Sequence, residues 1–237
     1  MIELPSIPRT KVTWHRAVRI IRSLYPPVDL FEDIADPSDW PLLLSAEQKT
    51  NPRVMESIGN IDLVPVRRRV GGTGASFLMA PFTHISTDRP SRFSDGSFGV
   101  LYVGKTFEAG LFETMYHHAR FMAATAQRPG WTSQFREIIL DVDAQLHDLR
   151  NSNAYLPALD PDDYSEGHAV GFGLRANGSD GIVYPSVRLP GGECVALFYP
   201  DGASKPTQGR HLDYHWNGAT IDFYRDAGAR QTFAVMG

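Results

Sequence analysis

The sequence predicts an α+β fold with mixed or antiparallel sheets and flanking helices. Three observations lead there. Short segments rich in branched and aromatic residues recur along the chain, several of them in succession. Asn217-Gly218 and Pro190-Gly191-Gly192 are turn signals that join neighbouring strands into hairpins. Few stretches carry helical periodicity, chiefly Thr106–Ala123 and Glu166–Arg175.

Taken in order, Trp14–Ile21 nearly alternates and reads as a strand or a short helix, broken by Tyr25-Pro26-Pro27. Leu30–Ile34 and Ser38–Lys49 are helical in pieces, the second after a turn at Asp36–Trp40. Pro65–Gly74 is a loop with three arginines. Ala75–Phe82 is expected as a strand, with His84-Ile85 continuing near it. Thr87–Ser97 is a polar loop, and Phe98–Val103 is an apolar strand punctuated by glycines. Thr106 is the expected N-cap of the following helix, with Glu108 in its first turn. Leu111, Met115, Ala119 and Met122 form that helix's apolar stripe, and Glu113 falls on its edge, free to look into a cleft. Gly110 costs the helix about 1 kcal/mol against alanine, which a close approach at that point would explain.

Phe135–Val142 is a strand, with Gln145–Leu149 a second short one. Asn151–Tyr164, rich in Asn, Pro and Asp, is a surface connection. Glu166–Arg175 is a helix ended by Asn177-Gly178. Gly181–Ser186 and Cys194–Tyr199 are strands, Pro200–Gly209 a loop, and His211–Trp216 and Ala219–Tyr224 a hairpin. Thr232–Met236 is placed beside that hairpin.

The chain has 237 residues, enough for one large domain or one domain with an extension. An apolar content of 42% and a charged fraction of 21% are those of ordinary globular material. A net charge of −4 without a basic block argues against nucleic acid as the main partner. The single Cys194 excludes an internal disulfide and, within an apolar run, reads as a buried structural thiol. The N-terminus lacks a signal-peptide core, and no apolar run approaches the roughly 20 residues that span a bilayer. A cytoplasmic location is the expectation.

Gly99–Thr106 matches the phosphate-loop pattern G-x-x-x-x-G-K-[ST], and Ile138–Asp141 resembles a strand ending in a magnesium-binding aspartate. The context is wrong for a triphosphatase. Such a loop follows a strand, whereas Arg92–Ser97 is polar, and Val100–Val103 favours strand over cradle. His84, His117 and His118 are the candidate metal ligands, but the adjacent His117 and His118 project in different helical directions and no third ligand stands at a recognisable spacing, so no metal is expected. Ser186 lacks the strained elbow of a hydrolase nucleophile.

Arg92-Phe93, Gly99–Tyr102, Glu113 and His117, then Gly181–Arg188 and the apolar run Cys194–Phe198, together resemble the RES domain family. The resemblance covers roughly residues 80–225, with a further family-like element near Trp14–Ile21. It implies a fold of the diphtheria-toxin type of ADP-ribosyltransferase. It implies a catalytic domain over residues 76–237, with residues 1–75 an N-terminal extension packed on it. It also implies the toxin of a bacterial RES–Xre toxin–antitoxin pair that attacks NAD at the nicotinamide–ribose bond. The expected partner is a small Xre-like helix-turn-helix antitoxin that blocks the cleft, and the ADP-ribose passes to water, phosphate or a protein.

The resemblance carries functional roles onto Arg92, Tyr102, Glu113 and Ser186. Glu113 would bind a ribose hydroxyl and stabilise the oxocarbenium-like charge of bond breaking. Arg92 would hold the pyrophosphate or adjoining ribose through its donor fork. Tyr102 would pack on nicotinamide, and Ser186 would bond substrate or orient Glu113. Arg16 is a further candidate for the phosphates, provided that Trp14–Val18 borders the cleft. Residue types alone allow blander roles: a solvated helix carboxylate near His117, an exposed arginine, a core aromatic, a turn hydroxyl. They also leave open a non-catalytic module that sequesters a partner protein.

Overall fold

A computed structural model describes residues 4, 7–24, 36, 39–40, 42–43, 59–88 and 90–235. Its described elements are eight strands and three α-helices with short 3-10 turns between them. The strands are β1 (Arg9–Arg22), β2 (Leu101–Gly104), β3 (Trp131–Asp148), β4 (Gly181–Pro185), β5 (Glu193–Leu197), β6 (Ala203–Trp216), β7 (Ile221–Asp226) and β8 (Gln231–Ala234). The helices are α1 (Ala75–Thr83), α2 (Phe107–Ala123) and α3 (Ser165–Ala176).

The order across the sheet is β1-β2-β5-β4-β3-β6-β7-β8, with β1 also paired to β3. That extra pairing closes β1, β2, β5, β4 and β3 into a ring, from which β6, β7 and β8 extend. Among the described strands only the short β3–β4 pairing is parallel. The α+β architecture expected from the sequence is therefore present as a largely antiparallel sheet. Val12, Trp14, Leu101, Val103, Leu140, Val142, Val183, Val195 and Leu197 join in one buried cluster, contributed by all five ring strands. A second cluster packs α3 against β4 and β5, and a third packs α2 against β1, β3 and β6.

β1 is the strand that Trp14–Ile21 allowed. It runs antiparallel to β3 from Arg9 opposite His147 to Arg22 opposite Phe135, with a bulge between Trp14 and Ala17. Arg16 sits in the bulge with φ 58°, and its N–H donates to Asp141 Oδ1 at 3.1 Å.

Four local expectations are corrected. Ala75–Phe82 is helical, not a strand, and His84-Ile85 adds no strand. The run is apolar on all sides, and α1 is buried nearly all round through Leu78, Met79 and Phe82, so no periodicity could separate the two states. Phe135–Val142 and Gln145–Leu149 are parts of the one long strand β3. Pro200–Gly209 is loop only at its start. β6 already begins at Ala203, and its Lys205, with φ 51°, makes an irregularity opposite β3 that Pro206 and Gly209 disguise as a loop. The helical pieces expected at Leu30–Ile34 and Ser38–Lys49 lie mostly outside the described residues. The two hairpins stand, β4–β5 through Gly191-Gly192 and β6–β7 through Asn217-Gly218.

Candidate active site

β1 and β2 are hydrogen-bond partners in the sheet only at Val18 opposite Gly104. Beside that contact opens a cleft of about 350 Å³. β1 lines it with Val18–Ile20, the loop before β2 with Ser91 and Arg92, β2 with Tyr102, and α2 with Glu113 and His117. Tyr184 of β4 and Cys194 of β5 complete it.

Local sequence explains how α2 presents its carboxylate. Thr106 caps the helix, its Oγ1 accepting from the Ala109 N–H at 3.3 Å. Leu111, Met115 and Met122 bury themselves against the sheet, which leaves Glu113 on the flank over the cleft. A Cβ on Gly104 would lie 2.5 Å from Gly110 N, and one on Gly110 would lie 3.1 Å from Val18 O. The glycine that weakens the helix thus lets it sit directly on β1 and β2.

Glu113 Oε1 accepts from Ser186 Oγ at 2.7 Å and from the Val187 N–H at 3.2 Å. Ser186 Oγ itself accepts from the N–H groups of Arg188 at 3.2 Å and Leu189 at 3.1 Å. A hydroxyl has one proton to give, and here it goes to the carboxylate. Among the described residues Oε2 of Glu113 accepts no hydrogen bond, so one oxygen is held and the other is left for a ligand.

Tyr102 serves the loop as well as the cleft. Its hydroxyl donates to Ser91 Oγ and accepts from the Phe93 N–H, both at 2.9 Å, clamping the residues on either side of Arg92. Burial pushes its phenol up to about 12, so it stays protonated and able to donate.

Arg92 is 6% exposed. Its Nη1 donates to Asp160 O at 2.6 Å, and its guanidinium lies 4.7 Å from the centre of the Tyr164 ring. His168 Nε2 bonds Ser91 O at 2.7 Å. α3 comes close to this loop because its facing positions are glycines: a Cβ on Gly167 would sit 2.3 Å from Arg92 O, and one on Gly171 2.0 Å from Phe93 O.

Arg92, Tyr102 and Glu113 therefore line one cleft, and Ser186 bonds Glu113 from its edge. Arg16 is not brought there. It borders a separate shallow hollow with Glu137, Arg210 and Asp226, and the β1 arginine in the cleft is Arg19. The bulge is the reason, since it shifts the strand's facing by one residue between Trp14 and Ala17. Burial lowers the Arg19 guanidinium to about 10, which leaves it charged at neutral pH. Sequence reasoning missed Arg19, although a cation between Val18 and Ile20 in an apolar strand was a signal. It also missed Asp160 and Tyr164, whose segment looked like plain surface connection.

Burial, then the nearby Glu113 carboxylate, pushes the Cys194 thiol well up, so it is a packed thiol and not a nucleophile. Lys105 pairs with Glu193 at 3.1 Å and Thr106 is the helix cap, so the residues of the phosphate-loop pattern serve a strand, an ion pair and a cap. His118 is buried against Phe135 and Tyr214, apart from the cleft histidine His117. Among the described residues no three His, Cys, Asp or Glu side chains gather where they could hold a metal ion. No described helix is long and apolar enough to cross a membrane.

Chemically, the cleft offers a nearly buried guanidinium, a second cation, an aromatic ring and a half-engaged carboxylate. Such a set suits a ligand with an anionic portion and a centre that becomes positive. The family model for the RES domain matches residues 66–217. "Uncharacterized protein y4oC" of Sinorhizobium fredii is 27% identical over 222 residues, covering 92% of each chain. Among solved structures, a chain of the M. tuberculosis MbcT–MbcA toxin–antitoxin complex superposes with a TM-score of 0.48 at 13% identity, covering 90% of each chain.

Proposed function

The chain belongs to the RES domain family, and from that membership and the cleft we propose that it is the toxin of a bacterial toxin–antitoxin pair, an enzyme that breaks the nicotinamide–ribose bond of NAD. In this reading the fold is of the diphtheria-toxin type of ADP-ribosyltransferase, with the catalytic domain over residues 76–237 completed by strand β1. The observation that carries the proposal is the state of Glu113 beside Arg92 and Tyr102, fixed through Oε1 and, among the described residues, unengaged at Oε2.

The carboxylate accepts a hydrogen bond from a ribose hydroxyl and stabilises positive charge as the bond from C1′ to the nicotinamide nitrogen breaks. The bonding electron pair leaves with nicotinamide, whose ring becomes neutral. Water, phosphate or a protein nucleophile then adds to C1′. Arg92 grips the pyrophosphate or adjoining ribose, and Tyr102 packs on nicotinamide while its hydroxyl holds the loop. Ser186 supplies the hydrogen bond that aims Glu113. Arg19 adds positive charge on the β1 side of the cleft.

The test is release of nicotinamide from NAD by the purified chain, with and without phosphate and cell extract. Mass spectrometry of the ribosyl product then separates the three acceptors. Absence of turnover under all of these conditions rejects the proposal. The proposed partner is an Xre-like helix-turn-helix protein that covers the cleft. Its coexpression is expected to restore growth to cells that this chain inhibits.

A further inference from the structure

The turn that carries Ser186 continues into Arg188, a residue with no role in the chemistry above. Its backbone N–H donates to Ser186 Oγ at 3.2 Å, so it helps hold the hydroxyl that aims Glu113. Its side chain leaves the turn. Nη2 donates to Pro161 O at 2.7 Å, and the guanidinium lies 3.2 Å from the centre of the Tyr116 ring on α2. Tyr116 in turn donates its hydroxyl to Asp162 Oδ1 at 3.3 Å.

The segment gripped in this way is the one that holds Arg92. Asp160 accepts from Arg92 through its carbonyl, and Tyr164 lies over the Arg92 guanidinium. The segment is stiffened from within, because the Asp160 carboxylate accepts the N–H groups of Asp162 and Asp163, both at 2.8 Å. Arg188 has no carboxylate partner among the described residues, and its Nε is buried without an acceptor. The side chain is therefore held by Pro161 and Tyr116, the two contacts that join the Ser186 turn to the Arg92 support.

We propose that Arg188 is a positioning residue. It sets the Ser186–Glu113 pair and Arg92 at a fixed separation by tying the 186–189 turn to the 160–164 segment across Tyr116. The proposal rests on the NAD-cleaving reading, since the separation matters only if one ligand spans both groups.

Two measurements test it on the full chain. The first compares nicotinamide release by the wild-type, Arg188→Ala and Arg188→Lys proteins. Misplacement of a reacting group by about an ångström costs up to about a hundred-fold in rate, so Arg188→Ala is expected to lose about ten- to a hundred-fold in kcat. Lysine keeps a cation near Tyr116 and a donor toward Pro161 but loses the planar fork, so Arg188→Lys is expected to recover part of that loss. Wild-type kcat and KM in Arg188→Ala overturn the proposal, as does a lysine variant that regains thermal stability without regaining rate. Should Arg188→Ala not fold, Tyr116→Leu removes the ring beneath the guanidinium and is expected to lower kcat in the same direction; wild-type kinetics there overturn the proposal.

The second measurement is amide hydrogen exchange, which needs no turnover. Arg188→Ala, or Tyr116→Leu in its place, is expected to speed exchange in both residues 160–164 and residues 186–192. Faster exchange in only one of the two segments rejects the coupling whether or not the wild type consumes NAD. An inactive wild type with both segments loosened rejects the NAD reading alone.

Discussion

Glu113 offers a ligand one carboxylate oxygen because Ser186 and Val187 already occupy the other. Glu113→Gln keeps the shape and removes the charge, so kcat for nicotinamide release is expected to fall by about a hundred- to a thousand-fold, the order measured when one transition-state contact is removed. The melting temperature should change little, which a thermal scan checks. His118 sets an acid limit on stability. Burial, and secondarily Arg22, lowers its folded value from 6.5 to about 4. The unfolded chain therefore binds the extra proton first. The contribution of His118 is full above about 6.5 and is lost progressively as pH falls toward about 4. Urea titrations at pH 7 and pH 4.5 should show this decline, and His118→Leu should reduce it. At this scale Arg92, Tyr102, Glu113 and Ser186 were legible because family resemblance marks residue types at set intervals. Arg16 was named and Arg19 was missed because a bulge is invisible to a count of residues: nothing in Trp14–Arg19 announces that one residue steps out of the ladder.

α3 shapes the site without lining it. Gly167 and Gly171 are four residues apart, so they share one helix face, and the Arg92 loop lies against that face. A methyl group at Gly171 has nowhere to go, since its Cβ would lie 2.0 Å from Phe93 O. Gly171→Ala is expected to destabilise the protein by about 1–3 kcal/mol despite alanine's better helix propensity. It should also raise KM for NAD by moving Arg92. Denaturant unfolding and steady-state kinetics on the same preparation check the pair. The element itself was readable, as Glu166–Arg175 has helical periodicity and Asn177-Gly178 ends it. What it packs against was not readable, because a glycine serves a turn, a bulge or a close contact equally well. α1 shows the opposite failure. Ala75–Phe82 is apolar but for the buried Ser76, and burial on nearly every side erases the contrast between faces on which such readings depend.

The whole molecule is closed by its N-terminal strand. β1 pairs along β3 from Arg9 to Arg22 and also meets β2, completing the five-stranded ring around the main core. It also carries Val18–Ile20 into the cleft. A chain beginning at residue 76 would expose the edges of β2 and β3 and one side of that core. It is expected to lack a cooperative unfolding transition, which calorimetry and circular dichroism would show.

The α+β class, the capped helix that bears Glu113, both hairpins and the family were readable from residue order, because these depend on residues near one another in the chain or on a spaced signature of residue types. Tertiary structure alone decided that β1 closes the ring, that Arg19 takes the place expected for Arg16, and that Asp160, Tyr164 and Arg188 support the cleft. Those outcomes depend on register and on backbone-to-side-chain contacts between distant segments. Some of these contacts are accepted by backbone carbonyls, which every residue possesses, and others pair side chains far apart in the chain, so residue identity carries no mark of them.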